Sequence, residues 1–356
     1  MSYPQETIAR QFYNNLNQAF GLSNSFLSKL FQPNNSDIVI TIEGAGVHWS
    51  CKVEKKVREC TISCFYYDFP YRQGAEYYIS FIKDNNTLAT GRTVDNQMAL
   101  NVTKDWIEGK ALPELYKTYK FVDQLKRKLE YINSTILNSQ SEFKNCKPTF
   151  TESWGDSIDY TLKNKDRSIQ YYIDGYINPP KTGFGFKFLW DDCTVFYAYN
   201  TNLNSFTPLI YDWLIINLKP SEIKEKYSWI ELYSIAEYYE KGEGITGEFI
   251  ESWDRVEIFY KELEFHLRDE VLNFIKDIRA YGFDKSLRAG TSLYSLILSK
   301  SRRYGLRQDQ NSIKFSFGDD GVYVNIDTQK QMLYKGIKLS DEILQLIKHL
   351  NAEEIS

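Results

Sequence analysis

Four strand-like runs carry aromatic side chains at successive positions: CFYYDF from Cys64 to Phe69, EYYISF from Glu76 to Phe81, QYYIDGY from Gln170 to Tyr176, and TVFYAY from Thr194 to Tyr199. Side chains alternate faces along a strand, so Phe65, Tyr67 and Phe69 share one face while Cys64, Tyr66 and Asp68 share the other. An antiparallel sheet with one wet face alternates apolar with polar residues, and these runs do not. Both faces therefore need cover, from the rest of the chain or from a partner. The expected class is α+β, with antiparallel β-meanders each followed by a helix, plus a central helical section with one long helix.

At 356 residues the chain is longer than a single core usually serves, so two or three domains are expected. Its 42% hydrophobic and 25% charged residues are those of a folded globular chain. The net charge of -4 argues against a wholesale basic field for nucleic acid or an anionic membrane. The acidity is central: residues 148–280 hold 23 acids against 14 Lys and Arg. Near the N-terminus Glu6 and Arg10 stand where a secretion signal needs an apolar run, and no stretch is apolar for a membrane crossing, so a cytoplasmic, bacterial-like protein is expected. Five cysteines and three histidines, without knuckle spacing, lead to no expected metal site and no cofactor.

Along the chain, Ile8, Phe12, Leu16 and Phe20 recur every four residues as an amphipathic helix. A five-strand meander is expected between Ile38 and Thr93, then helices over Asp95–Glu108 and Pro113–Leu137, with Asn138–Lys147 as linker. A second meander from Ser157 to Tyr199 and a helix from Leu203 to Asn217 repeat that order. Both post-meander helices end in similar words, Asp105-Trp106-Ile107 and Asp212-Trp213-Leu214, which raises module duplication. Helices are expected over Pro220–Glu240, Gly247–Tyr281 and Ser286–Tyr304, then a three-strand meander over Ser312–Tyr334 and a helix over Ser340–Leu350. The corresponding domains are 1–147, 148–219 and 220–356. The long middle helix reads as a spine for the sheets; as a dimer seam it would make a homo-oligomer.

Few constellations suggest chemistry. Lys241 to Gly247 contains a G-x-G-x-x-G match, but it follows a helix and is flanked by Glu240, Glu243 and Glu248, so a helix-to-helix turn capped by Thr246 is expected. Arg288, Lys300, Arg302, Arg303 and Arg307 form the densest basic feature and suit a carboxylate, a phosphate or an acidic partner, including the chain's own acidic stretch. The competing account is cations completing a helix C-terminus ended by Gly305. Arg92 is read as solvated beside a helix start capped by Thr93 or Asp95. Asp191-Asp192 and Asp319-Asp320 read as strand-end turns, and Asp254, Glu257 and Glu262 as a solvated helix face. His48 and Cys51 fall on opposite strand faces, so they do not make a catalytic pair.

These features point to a binding or adaptor protein rather than to catalysis. It would recognise a protein or peptide through the basic turn and sheet-face tyrosines Tyr66, Tyr78, Tyr172 and Tyr197, with nucleic acid and membrane disfavoured. The alternative is an enzyme that modifies a peptide or nucleotide held by the arginines near residues 288–307, which requires a concave pocket with a carboxylate in reach.

Overall fold

The computed structural model describes residues 3–22, 37–69, 72–152, 158–173, 183–303, 310–326 and 331–355. It is α+β, with three antiparallel sheets whose strands follow chain order: β1 to β5, β6 to β11, and β12 to β16. Residues 1–141, 149–160 and 172–182 form one compact unit, and residues 142–148, 161–171 and 183–356 form a second. No described helix is long and apolar enough to cross a membrane.

The first sheet is the expected meander: β1 (Ile38–Ala45), β2 (His48–Lys55), β3 (Arg58–Phe69), β4 (Arg72–Lys83) and β5 (Asn86–Thr93). Helix α1 (Pro4–Ala19) lays Ala9, Phe12 and Leu16 on it, and α2 (Asn96–Ile107) adds Ala99, Val102 and Trp106. The buried strand positions Cys51, Val53, Cys60, Ile62, Ile79 and Phe81 meet these helices, as period-two alternation requires. Asp95 caps α2 by accepting from the Met98 N–H at 3.0 Å. Arg92 is not solvated: it lies 3.4 Å from buried Glu76.

The helix expected over Pro113–Leu137 is two, α3 (Leu112–Thr118) and α4 (Gln124–Ser139). Between them Val122 bridges to Gly91, and Asp123 takes a left-handed backbone. Asp123 also exchanges hydrogen bonds with the Thr90 backbone, donating from N at 2.7 Å and accepting on Oδ1 at 2.8 Å. This pairing with the sheet edge overrides the helical periodicity. The expected linker is largely ordered, with a 3-10 turn at Ser141–Asn145 and a strand β6 (Lys147–Glu152) in which Pro148 is tolerated because the strand lies at the sheet edge.

The second sheet adds β7 (Ile158–Asn164), β8 (Arg167–Ile173), β9 (Phe184–Trp190), β10 (Cys193–Asn200) and a short β11 (Glu231–Leu232). The helix expected over Leu203–Asn217 is α5 (Phe206–Tyr211), continued by a π-helical turn at Asp212–Ile216. The helix expected over Pro220–Glu240 is instead α6 (Pro220–Lys226), β11 and α7 (Ile235–Glu240), because the intervening chain pairs with β10.

Side-chain contacts repeat between these two meanders. Trp106 Nε1 donates to Glu59 O at 2.8 Å, with Arg58 over its ring at 4.3 Å and donating to the Trp106 and Lys110 carbonyls. Trp213 Nε1 donates to Ser168 O at 3.1 Å, with Arg167 over its ring at 3.8 Å and donating to Leu218 O. Asp105 accepts from Tyr119 and Lys110, and Asp212 from Tyr227 and Lys226. Glu114 accepts from the Ala111 N–H that opens α3, and Glu222 from the Lys219 N–H that opens α6. The Arg167 contact falls five residues after its Trp where that of Arg58 reaches the fourth, and the π turn accommodates the extra residue.

The third sheet departs most from expectation. The helix expected over Ser286–Tyr304 is absent from its described residues, which hold strands β12 (Arg288–Ser292) and β13 (Ser295–Ser299). With β14 (Ser312–Gly318), β15 (Gly321–Ile326) and β16 (Met332–Lys335) the third meander therefore has five strands, not three. The period-two signal of Leu296 and Leu298 was masked by Ile297, an apolar residue on the opposite face. The long helix is α8 (Gly244–Glu262), and α9 (Arg268–Ala280) follows it; Leu263, Phe265 and Leu267 between them pack against the core rather than continuing the helix. Helix α10 (Asp341–Asn351) closes the module, capped by Ser340.

Thr246 is not the cap of α8, which starts earlier, at Gly244. Glycine is needed in this first turn because a Cβ at Gly247 would lie 2.5 Å from Tyr238 Cγ on α7. Asp254 and Glu257 are not simply solvated: Arg279 of α9 reaches both, at 2.8 and 2.6 Å.

Candidate functional site

Helix α8 runs beside the edge strand β12. Trp253 Nε1 donates to Leu287 O at 2.7 Å, Ser252 Oγ accepts from Ala289 N at 3.0 Å, and Tyr260 Oη donates to Tyr294 O at 2.9 Å. Between helix and sheet lies a cleft of about 200 Å³. Its basic walls are Arg255 from α8, Arg288 from β12 and Arg303 from the segment after β13; Ser252, Thr291, Ser299 and Ser301 add hydroxyls. Gly290 and Ile297 pair across β12 and β13, and an ideal Cβ on Gly290 would meet nothing within 4 Å. A glycine within a strand marks a place where a ligand or another backbone can come close.

The cationic heads are held in place. Arg255 pairs with Glu251 at 3.2 Å, one helical turn back, and Arg288 Nη1 donates to Arg302 O at 2.8 Å. Arg303 lies 3.7 Å from Asp192 and donates to the Asp191 carbonyl. Its Nε is shut from water without a hydrogen bond, with Glu248 Oε2 at 3.9 Å, beyond bonding range.

Of the basic residues singled out from sequence, Arg288 and Arg303 come together here. Arg302 serves the interior: it donates to Glu248 Oε1 at 3.0 and 2.8 Å and to Asp191 Oδ2 at 2.5 Å, and Tyr239 lies at 3.0 Å. Glu248 is only 7% exposed, so the acidic central stretch is this arginine's partner within the second unit. Lys300 is buried, bonded to Ser286 O and Asn351, and its pKa is lowered by burial. Arg307 lies outside the described residues. With strands in place of a helix over the described residues 288–299, the account of these cations as helix-dipole partners fails. Arg255 was missed, since an arginine four residues after a glutamate on a helix carries no sequence signal beyond a surface ion pair.

Near this network sit Cys193, Tyr239 and Glu248. Burial, and then the Glu248 carboxylate, push the Cys193 thiol up to about 11, so it is not a thiolate nucleophile at neutral pH. Burial and the hydrogen bond to Glu248 likewise raise the Tyr239 phenol. The described residues contain no group of three or more potential metal ligands.

Among the candidate tyrosines, Tyr197 is 43% exposed beside exposed Tyr199 on β10. Their rings extend over Gly185 and Gly183, where a Cβ would collide with them. Tyr66 is exposed near the end of the β3–β4 hairpin, and Tyr78 is half-buried with Arg92 5.6 Å from its ring. The side chain of Tyr172 lies outside the described residues. No protein-family description, curated protein or solved structure matches the chain.

Proposed function

We propose that this protein acts by binding, recognising an anionic group of a protein or peptide partner in the α8–β12 cleft. The supporting observation is the convergence of Arg255, Arg288 and Arg303 with the Thr291 and Ser299 hydroxyls around the side-chain-free floor at Gly290; the Ser252 and Ser301 hydroxyls, which also line the cleft, donate to the Phe249 and Arg303 carbonyls. Forked guanidinium donors and hydroxyls are the groups that carboxylates and phosphates accept from. The exposed Tyr66, Tyr197 and Tyr199 offer contact area with polar tips and are proposed as secondary contact surfaces. Cysteines that are buried or half-buried, and free, suit a cytoplasmic setting.

The enzyme alternative is less well supported. Among the described residues the cleft lining carries arginines and hydroxyls but no carboxylate, and nearby Glu251, Asp191 and Glu248 are each engaged by an arginine. The test is fluorescence anisotropy of a labelled oligo-glutamate peptide. Saturable binding that weakens with added salt, and weakens at least about tenfold in Gly290→Val, is expected. Equal binding by wild type and variant would overturn the assignment.

A further inference from the structure

Beyond Thr291, the last residue of β12 that lines the cleft, the strand runs into an apolar turn. Ser292 pairs with Ser295, so Leu293 and Tyr294 form a two-residue hairpin tip, and Leu293 is 85% exposed with φ at 54°. A left-handed backbone is one that Gly, Asn or Asp adopts at lower cost, and neither burial nor conformation accounts for leucine there. Such an outlier is an observation from which function can be inferred. Tyr294, itself 61% exposed, stacks on Phe265 at 6.3 Å and is tied by its carbonyl to Tyr260 of α8. The feature that ends in basic side chains at Arg288 and Arg303 thus ends at its other extremity in apolar ones.

We propose that the ligand of this cleft is an acidic peptide segment bearing an apolar side chain a few residues from its carboxylates. The acids lie against Arg255, Arg288 and Arg303, and the apolar side chain lies against Leu293 and Tyr294. The proposal rests on the anion-binding reading above and narrows it. Gly290 and Leu293 are three residues apart, which at strand rise is about 10 Å, or about three residues of an extended peptide. Backbone geometry favours a peptide over a small anion. The Ala289 N–H leaves the sheet for Ser252, so strand alternation turns the backbone groups of exposed Thr291 the same way, available to an extended chain. Charge complementarity selects acids at one end, and the exposed Leu293 selects an apolar group at the other.

The test uses the full chain and labelled peptides in which three glutamates are followed, after zero to five serines, by leucine or by serine. Leucine at the best spacing should tighten binding about tenfold over serine, with that optimum at two to three serines. Leu293→Asn, which suits the left-handed backbone, should abolish the leucine gain and leave glutamate-only binding unchanged. Gly290→Val should weaken every peptide. Thermal melts of both variants check that they fold. Equal binding of leucine and serine peptides, with no effect of Leu293→Asn but loss in Gly290→Val, would overturn this inference while leaving the anion site. No effect of Gly290→Val on any peptide would overturn both. Tighter, competing binding of a single-stranded oligonucleotide of matched charge would also overturn the peptide assignment.

Discussion

Arg167 shows how much a single buried cation carries in this fold. Its guanidinium lies 3.9 Å from the Trp190 ring centre and 3.8 Å from that of Trp213, and burial lowers its pKa to about 10, which leaves it charged at neutral pH. A planar head between two indoles is something lysine does not reproduce. Arg167→Lys should therefore destabilise the second unit by about 2 kcal/mol, measurable by urea denaturation. Cys193 gives a pH prediction. Its folded pKa of about 11 exceeds the ordinary value of 9.0, so the unfolded thiol ionises first, and the stability held below pH 9 is lost as pH rises from 9 toward 11. Cys193→Ser should flatten that part of the stability profile, and the native Cys193 should resist neutral-pH alkylation until the chain is unfolded.

At the scale of elements, the joint between α7 and α8 is set by glycine. Alanine at Gly247 improves helix propensity, yet its methyl would press on Tyr238 and Ile235. Gly247→Ala should cost a net 1–2 kcal/mol or so in a denaturant melt, and Tyr238→Ala in the same chain should recover part of it. Elements were legible where periodicity was local. The first meander, α1, α2 and the Asp191-Asp192 turn follow from alternation, four-residue spacing and turn chemistry. They were illegible where tertiary pairing decided: Val122 bridging to Gly91 interrupts an apolar stripe, and β11 interrupts another by pairing with β10. Strands β12 and β13 were hidden because the cleft places Ile297 on the face where a solvated strand would show a polar residue. Half of the candidate site was visible as an arginine-rich word; Arg255 joins it only through the packing of α8 on β12.

Across the whole molecule, one plan is used three times, a helix before a meander and a helix after it, and the modules differ in what they do with arginine. Arg58 and Arg167 are structural, each laid over the tryptophan of the following helix. The third module has no tryptophan in its closing helix, and its arginines Arg288 and Arg303 line an open cleft instead. On the proposed reading, recognition belongs to the third module. The most direct measurement is amide hydrogen exchange of the full chain with and without a saturating acidic peptide. The account predicts slowed exchange centred on 252–259, 288–294 and 297–303, lost in Gly290→Val. Protection centred on the Tyr197 and Tyr199 strand, or the same protection in wild type and variant, would contradict it.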